Sequence, residues 1–245
     1  MHIVTLTDVK KHYMLGKVVV EAIRGVTFNI KKGDFISIVG PSGSGKTTIL
    51  NMLGCIDTPT EGSIKILDLD VNDLNDRSLT ALRHEVIGFI FQSFNLIPVL
   101  DIYENVEFPL LVGTGHSVFS SDSGQKKSRV MGKKEKEEWI DYLLNAVGLS
   151  GWKNHKPNEL SGGQRQRAAI ARALVTRPQI VLADEPTANL DSRTGENIIT
   201  LMKQINREQN TTFIFSTHDS AIVSIADHIV RLKDGLIHSE EGGAP

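Results

Sequence analysis

One cysteine in 245 residues, Cys55, leaves this chain unable to form an internal disulfide. Such sparing use of cysteine fits a reducing compartment. A basic surplus is also missing: 27 Lys and Arg stand against 29 Asp and Glu, a net charge of -2. A dedicated nucleic-acid binder is therefore disfavoured, and no nucleic-acid partner is expected. No uninterrupted apolar run is long enough to span a bilayer, so any membrane role must come through a partner. The start, Met1-His2-Ile3-Val4-Thr5, lacks the basic-then-apolar pattern of a signal peptide. Neither an internal repeat nor a long heptad run is found.

What is present is an ordinary globular composition, 40% apolar and 23% charged, in a chain long enough to bury a core without staples. Ile3 to Val9 and Val26 to Ile30 read as strands. Phe35-Ile36-Ser37-Ile38-Val39 reads as a buried strand, and Val86 to Phe91, Ile180 to Ala183 and Thr212 to Phe215 as further ones. Lys46 to Leu53 is helical in character. Trp139, Ile140, Leu143, Leu144 and Val147 share a helical face, as do Ile198, Ile199, Met202 and Ile205. Apolar runs alternating with helices predict an α/β fold with a mainly parallel sheet and helices on both faces. Between Leu96 and Ala173 no strand is predicted, so this middle reads as an inserted helical subdomain. Val112 to Lys136 has the composition of a surface loop leading into a charged helix.

Two stretches carry chemistry. Gly40-Pro41-Ser42-Gly43-Ser44-Gly45-Lys46-Thr47 fits G-x-x-x-x-G-K-[ST] at every position, between a strand and a helix. The glycines let backbone N–H groups turn inward as an anion nest, and the helix N-terminus adds partial positive charge. Lys46 is expected to reach the β- and γ-phosphates and the Thr47 hydroxyl to bind Mg²⁺. The bland alternative is a Gly/Ser-rich turn before a helix. Ile180 to Ala183 then delivers Asp184 and Glu185 at a strand's C-terminal end, where ligands sit in open α/β sheets. Asp184 suits the Mg²⁺ shell, and Glu185 can face an attacking water as general base.

Leu160-Ser161-Gly162-Gly163-Gln164, followed by Arg165 to Leu174, resembles the signature of the ATP-binding cassette (ABC) family. A capped helix alone would also explain it, yet Ser-Gly-Gly at a helix start makes a second anion site. The resemblance runs from about Ile3 to His238. It implies a P-loop ATPase with an N-terminal antiparallel β-subdomain. Residues 1–245 would form a single domain. Its nucleotide-binding core would cover about 1–95 and 174–245. The helical subdomain, about 96–173, would carry the signature and a loop insertion at about 112–136. It implies two ATP molecules buried between two copies of the chain, each held by one phosphate loop and the other copy's Ser161, Gly162, Gly163 and Gln164. Tyr13 resembles the aromatic that stacks on adenine, with a core residue as the alternative. Thr48 joins the nucleotide-binding residues. Gln92 resembles the glutamine that touches Mg²⁺ or water and senses the γ-phosphate. Asp191, in Ala188-Asn189-Leu190-Asp191, resembles a loop crossing the dimer interface. His218 resembles the histidine that contacts the γ-phosphate; the other seven histidines and Cys55 read as structural.

Gly54 to Gly62, Phe91 to Pro98 and Glu104 to Leu110 look like the ATPases of macrolide exporters and lipoprotein-releasing complexes. The implied partners are a second copy and an integral membrane permease, with the chain held at the cytoplasmic face of the cell (inner) membrane. Phe94, Leu96, Ile97, Pro98 and Val99 could floor a groove for a permease helix, or could simply pack in the core. Lys126, Lys127, Arg129, Lys133 and Lys134 could meet the partner or anionic lipid, or be a solvated loop. A soluble cassette acting on DNA or ribosomes, a regulator that does not turn ATP over, and an importer subunit are the rival readings.

Overall fold

The computed structural model describes residues 1–112 and 131–242. The loop expected over 112–136 falls mostly outside them, as do Lys126, Lys127 and Arg129. In chain order the elements are β1 (His2–Leu15), β2 (Val18–Lys31), β3 (Phe35–Val39), α1 (Lys46–Leu53), β4 (Glu61–Ile66) and β5 (Leu69–Asp70). Then come α2 (Asp76–Val86), β6 (Ile87–Ile90), α3 (Ile102–Leu111), α4 (Lys133–Ala146), α5 (Gly162–Leu174) and β7 (Ile180–Asp184). The chain continues through α6 (Ser192–Gln209), β8 (Thr212–Ser216), α7 (Ser220–Ser224), β9 (His228–Lys233) and β10 (Leu236–Glu241).

The strands make two sheets. One has four strands in the order β2-β1-β4-β5, antiparallel throughout; the other has six in the order β10-β9-β3-β8-β7-β6. Within the second, β6, β7, β8, β3 and β9 run parallel, and only β10 is antiparallel. The fully buried strands β3, β7 and β8 read as continuous apolar runs because both their faces are covered. Their period of two sorts the side chains. Ile36, Ile38, Ile180, Leu182 and Ile214 join the cluster that holds α1 and the antiparallel sheet. Phe35, Val181, Ala183, Phe213 and Phe215 join the cluster that holds α4, α5 and α6. There Phe35 packs at 4.5 Å from Phe215 and 5.6 Å from Phe213, ring centre to ring centre.

No strand is found between 96 and 173 among the described residues, as the sequence predicts. The helical faces hold as well: Ile140, Leu143, Leu144 and Val147 are buried, as are Ile198, Ile199, Met202 and Ile205. Trp139 is half-buried and donates its indole N–H to the Val175 carbonyl at 2.9 Å. One boundary is corrected: Val86 ends α2, and the strand expected over Val86–Phe91 spans only Ile87–Ile90.

Cys55 sits behind α1, buried, in a left-handed turn at φ 53°. Burial pushes its thiol up to about 11. Its thiol should therefore resist a disulfide reagent at pH 8 in the native protein and react within seconds in denaturant, as followed by thionitrobenzoate absorbance.

Candidate active site

The C-terminal ends of β3, β8, β7 and β6 lie side by side, and each releases one set of the predicted residues. Ile38 and Asp184 both pair with Ser216, and Ile90 pairs with Ala183. Gly40, His218, Glu185 and Gln92 thus follow neighbouring strands at one edge of the sheet. This is where parallel sheets offer a binding crevice.

From Gly40 the chain folds into the phosphate loop. Gly43 and Gly45 have φ of 78° and 102°. A Cβ at Gly45 would also come within 2.5 Å of Ile23 Cδ1 and 2.7 Å of the Ala22 carbonyl, so only glycine fits. α1 begins here without any side-chain cap. The first N–H groups of a helix have no intrahelical acceptor, and here no side chain takes their place at the positive end. Lys46 Nζ donates to the carbonyls of Gly40, at 2.8 Å, and Pro41, at 3.0 Å. Ser44 Oγ is buried without a partner among the described residues. Pro41, Ser42, Gly43 and Thr47 are exposed, while Thr48 is half-buried.

Thr47 Oγ1 donates to Asp184 Oδ2 at 3.0 Å. A hydroxyl and a carboxylate brought together are hard oxygen donors, which suit Mg²⁺. No cluster of three or more His, Cys, Asp or Glu exists among the described residues. The donors thus fit an ion held through phosphates, as Mg²⁺ commonly is, rather than a protein-only cage.

Glu185 follows at φ 48°, unusual for a residue with a side chain. The backbone kink is held by Glu185 N–H donating to the Ser216 carbonyl at 2.8 Å. It carries the carboxylate off the strand, so that Oε1 lies 2.8 Å from His218 Nδ1 and Oε2 accepts from Thr217 Oγ1 at 3.3 Å. Strain at such a position is the kind kept at working sites. The His218 side chain is 81% exposed and that of Glu185 14%.

Gln92 is exposed, just beyond β6. The two residues after Ser93, Phe94 and Asn95, both adopt left-handed conformations at φ 61° and 50°. Their carbonyls accept from Arg172, at 2.7 Å for Phe94 and 2.5 Å for Asn95. Burial alone lowers the Arg172 pKa. One helix, α5, therefore carries Ser161 at its start and grips the Gln92 loop near its end. Asn105, fully buried in α3, folds the following loop by bonding Ile97 N–H at 2.7 Å and the carbonyls of Ile97, Leu100 and Asp101. Neither residue was singled out from the sequence, since their partners are backbone atoms, which leave no mark in the side-chain pattern. Arg172→Met should lower stability by about 1–3 kcal/mol in urea unfolding, for the two carbonyls left without a donor. It should also slow turnover, read as phosphate release, while ADP affinity holds.

Of the apolar run expected to floor a groove, Leu96 packs against the helical core cluster, and Arg165 lies 5.2 Å from the Phe94 ring centre. Val99 stays at the surface, 72% exposed.

At the start of α5, Ser161 Oγ accepts from Gln164 N–H at 3.3 Å, and Gln164 Oε1 accepts from Ser161 N–H at 2.8 Å. This reciprocal capping box accounts for the Ser-to-Gln spacing. The N–H groups of Gly162 and Gly163, in the same first turn, have no intrahelical acceptor. A Cβ on Gly163 would meet the Asn189 carbonyl at 3.3 Å, so the 188–191 segment abuts this turn within one chain. Asp191 caps α6 through Thr194 N–H at 3.0 Å, and its carboxyl is held low by hydrogen bonds from Thr194.

A protein-family model described as ABC transporter matches residues 23–188. The chain belongs to the ABC transporter family. Among its relatives, an uncharacterized ABC transporter ATP-binding protein, MJ0796 of Methanocaldococcus jannaschii, is 45% identical over 97% of this chain and 96% of its own length. A solved dimer of MJ0796 in a post-hydrolysis state with ADP and Pi superposes with a TM-score of 0.86 at 97% coverage of both chains. The lipoprotein-releasing system ATP-binding protein LolD 1 of Rhodopseudomonas palustris is 42% identical over 96% of this chain and 98% of its own. The macrolide export ATP-binding/permease protein MacB of Syntrophobacter fumaroxidans is 41% identical over 99% of this chain, which spans only 32% of that protein. The fold is that of an ABC ATPase, and the chain is an ATP-binding, ATP-hydrolysing ABC transporter subunit. No described helix is long and apolar enough to cross a membrane.

Proposed function

We propose that two copies of this chain close face to face around two ATP molecules and thereby drive a separate membrane permease that exports or extracts a lipophilic substrate. The observation that carries this reading is the openness of a complete hydrolytic edge. Pro41, Ser42, Gly43, Thr47 and Gln92 are exposed, and so is His218. Electrostatic catalysis on a phosphate works best with water excluded, so a second surface must cover this edge. The same chain offers one: the exposed Ser161 and the N–H groups of Gly162 and Gly163 at the positive end of α5. The solved MJ0796 dimer supports the pairing, and the names of MacB, an ATP-binding/permease protein, and LolD 1, of a lipoprotein-releasing system, support a permease partner.

In this reading Lys46 turns from the Gly40 and Pro41 carbonyls to the β- and γ-phosphates, and the nest and α1 take the remaining charge. Tyr13 stacks on the base, and Thr48 lies beside the phosphates. Thr47, Asp184 and Gln92 would hold Mg²⁺, which would supply charge neutralisation to the phosphates. Glu185 takes a proton from the attacking water. His218, hydrogen-bonded to Glu185, orients it and reaches the γ-phosphate. Asp191 and its neighbours line the seam between copies. The core, about 1–95 and 174–245, holds the phosphate loop, and the helical unit, about 96–173, presents the signature to the other copy. The permease keeps the chain at the cytoplasmic face of the membrane. Only the difference in ATP affinity between open and closed pairs does work on the permease.

The test is phosphate release against protein concentration. Turnover per chain should rise with concentration and then level off as pairs form. A flat profile down to nanomolar protein, where pairs dissociate, would refute a site shared between copies.

A further inference from the structure

The segment 54–62, which the hydrolytic edge does not use, has a job of its own: it fixes the strand that carries Tyr13. Tyr13 Oη donates to Asp57 Oδ2 at 2.7 Å. Lys11 Nζ donates to Asp57 Oδ1 at 2.5 Å and to the Thr58 carbonyl at 2.8 Å. The same ammonium lies 5.1 Å from the centre of the Tyr13 ring, over its face. Further along, His12 N–H donates to Thr60 Oγ1 at 3.1 Å, Thr60 N–H to the Lys10 carbonyl at 2.8 Å, and Lys10 Nζ to Glu61 at 2.7 Å. At its other end the segment is tied to the phosphate helix: the N–H groups of Ile56 and Asp57 donate to the Asn51 carbonyl at 2.9 and 3.3 Å. Asn51 lies in α1.

Burial works to raise the Asp57 carboxyl, but hydrogen bonds from Lys11 and Tyr13 outweigh it and the group is held low. Burial, with Asp57 next, raises the Tyr13 phenol, which keeps its proton and donates. Tyr13 is thus held at its hydroxyl by Asp57 and on one face by Lys11. The ring is only half-buried.

We propose that Asp57 is a positioning residue for the nucleobase: it fixes the Tyr13 ring at a set distance from the phosphate loop, with Lys11 on the ring's other face. This rests on Tyr13 stacking on the base, as proposed above. Stacking is indifferent to base identity, so ATP and GTP should depend on Asp57 alike.

The experiment is calorimetric titration of the full chain with Mg-ADP and, as a base-free control, Mg-pyrophosphate. Asp57→Ala and Tyr13→Phe should each weaken ADP about three- to tenfold, the worth of one hydrogen bond. Pyrophosphate affinity should not change. The double variant should lose clearly less than the sum of the single losses, because both remove the Tyr13–Asp57 bond. Asp57→Asn, which keeps an acceptor for the phenol, should recover much of the loss. Equal weakening of pyrophosphate would make the role merely structural and overturn the proposal, as would additive losses. Tyr13→Ala separates the two ideas. If it weakens ADP while Asp57→Ala and Tyr13→Phe do not, stacking stands and positioning fails. If it binds ADP as the parent chain does, the stacking reading itself is wrong and the proposal falls with it. Asp57→Ala melting within a few degrees of the parent chain guards the comparison, and Tyr13→Phe provides the same test without touching the 54–62 turn.

Discussion

Replacing Glu185 by Gln should slow ATP hydrolysis by about 10²- to 10⁴-fold, the usual worth of a positioned general base. The substitution keeps shape. A Gln carbonyl can still accept from Thr217 Oγ1, which lies 3.3 Å from Glu185 Oε2. The side chain also stays within reach of His218, now 2.8 Å away. What is lost is the ability to take a proton from water. ATP affinity should therefore hold or tighten while phosphate release collapses, and single-turnover kinetics should place the loss in the chemical step. A variant that lost affinity and rate together would mean that Glu185 holds the loop rather than the water.

Lys46→Ala should weaken nucleotide binding on the order of 10²- to 10⁴-fold, from two charge-assisted hydrogen bonds of about 1.5–3 kcal/mol each. The same change removes the two bonds that Nζ makes to the Gly40 and Pro41 carbonyls. Those carbonyls lie at or near the surface, and water can replace the lost donor. Stability should change little, so affinity and melting temperature should come apart. Calorimetry with Mg²⁺ and a non-hydrolysable ATP analogue, which carries both phosphates, and a thermal melt of the same protein decide it. A large fall in melting temperature with unchanged affinity would contradict the assignment.

The central strands were legible because burial on both faces leaves a local mark: Phe35 to Val39 and Thr212 to Phe215 are runs of apolar residues that need no partner to be recognised. The phosphate loop was legible because close backbone turns demand glycine at fixed spacing. Gly45, with its φ of 102°, is the plainest case. The N-terminal strands were seen only in part. Their full lengths pair across several register shifts, and each shift breaks the alternation on which recognition depends. β10 was missed because it is an exposed edge strand with little apolar content, while β9, whose His228, Val230 and Leu232 alternate inward, carried a signal that was passed over. α3 hides behind Pro109 near its end, although Asp101 and Glu104 form a full capping box at its start.

Gly40 and Glu185 were read from loop spacing and a strand end, Gln92 and His218 by likeness to a family, and the neighbouring strand ends bring all four to one edge. The residues that hold those positions were not legible. Arg172 reaches Phe94 across 78 positions of sequence and Asp57 reaches Tyr13 across 44. A contact of that kind leaves no periodic trace, and it becomes visible only once the strands and helices have been assembled.

Light scattering of Glu185→Gln protein loaded with Mg-ATP goes most directly to the shared site. At micromolar concentration the mass should rise from 27.0 kDa to roughly twice that, and fall back when ATP is replaced by ADP. A strictly monomeric mass with saturating ATP, even at high protein concentration and with the membrane partner added, would contradict it.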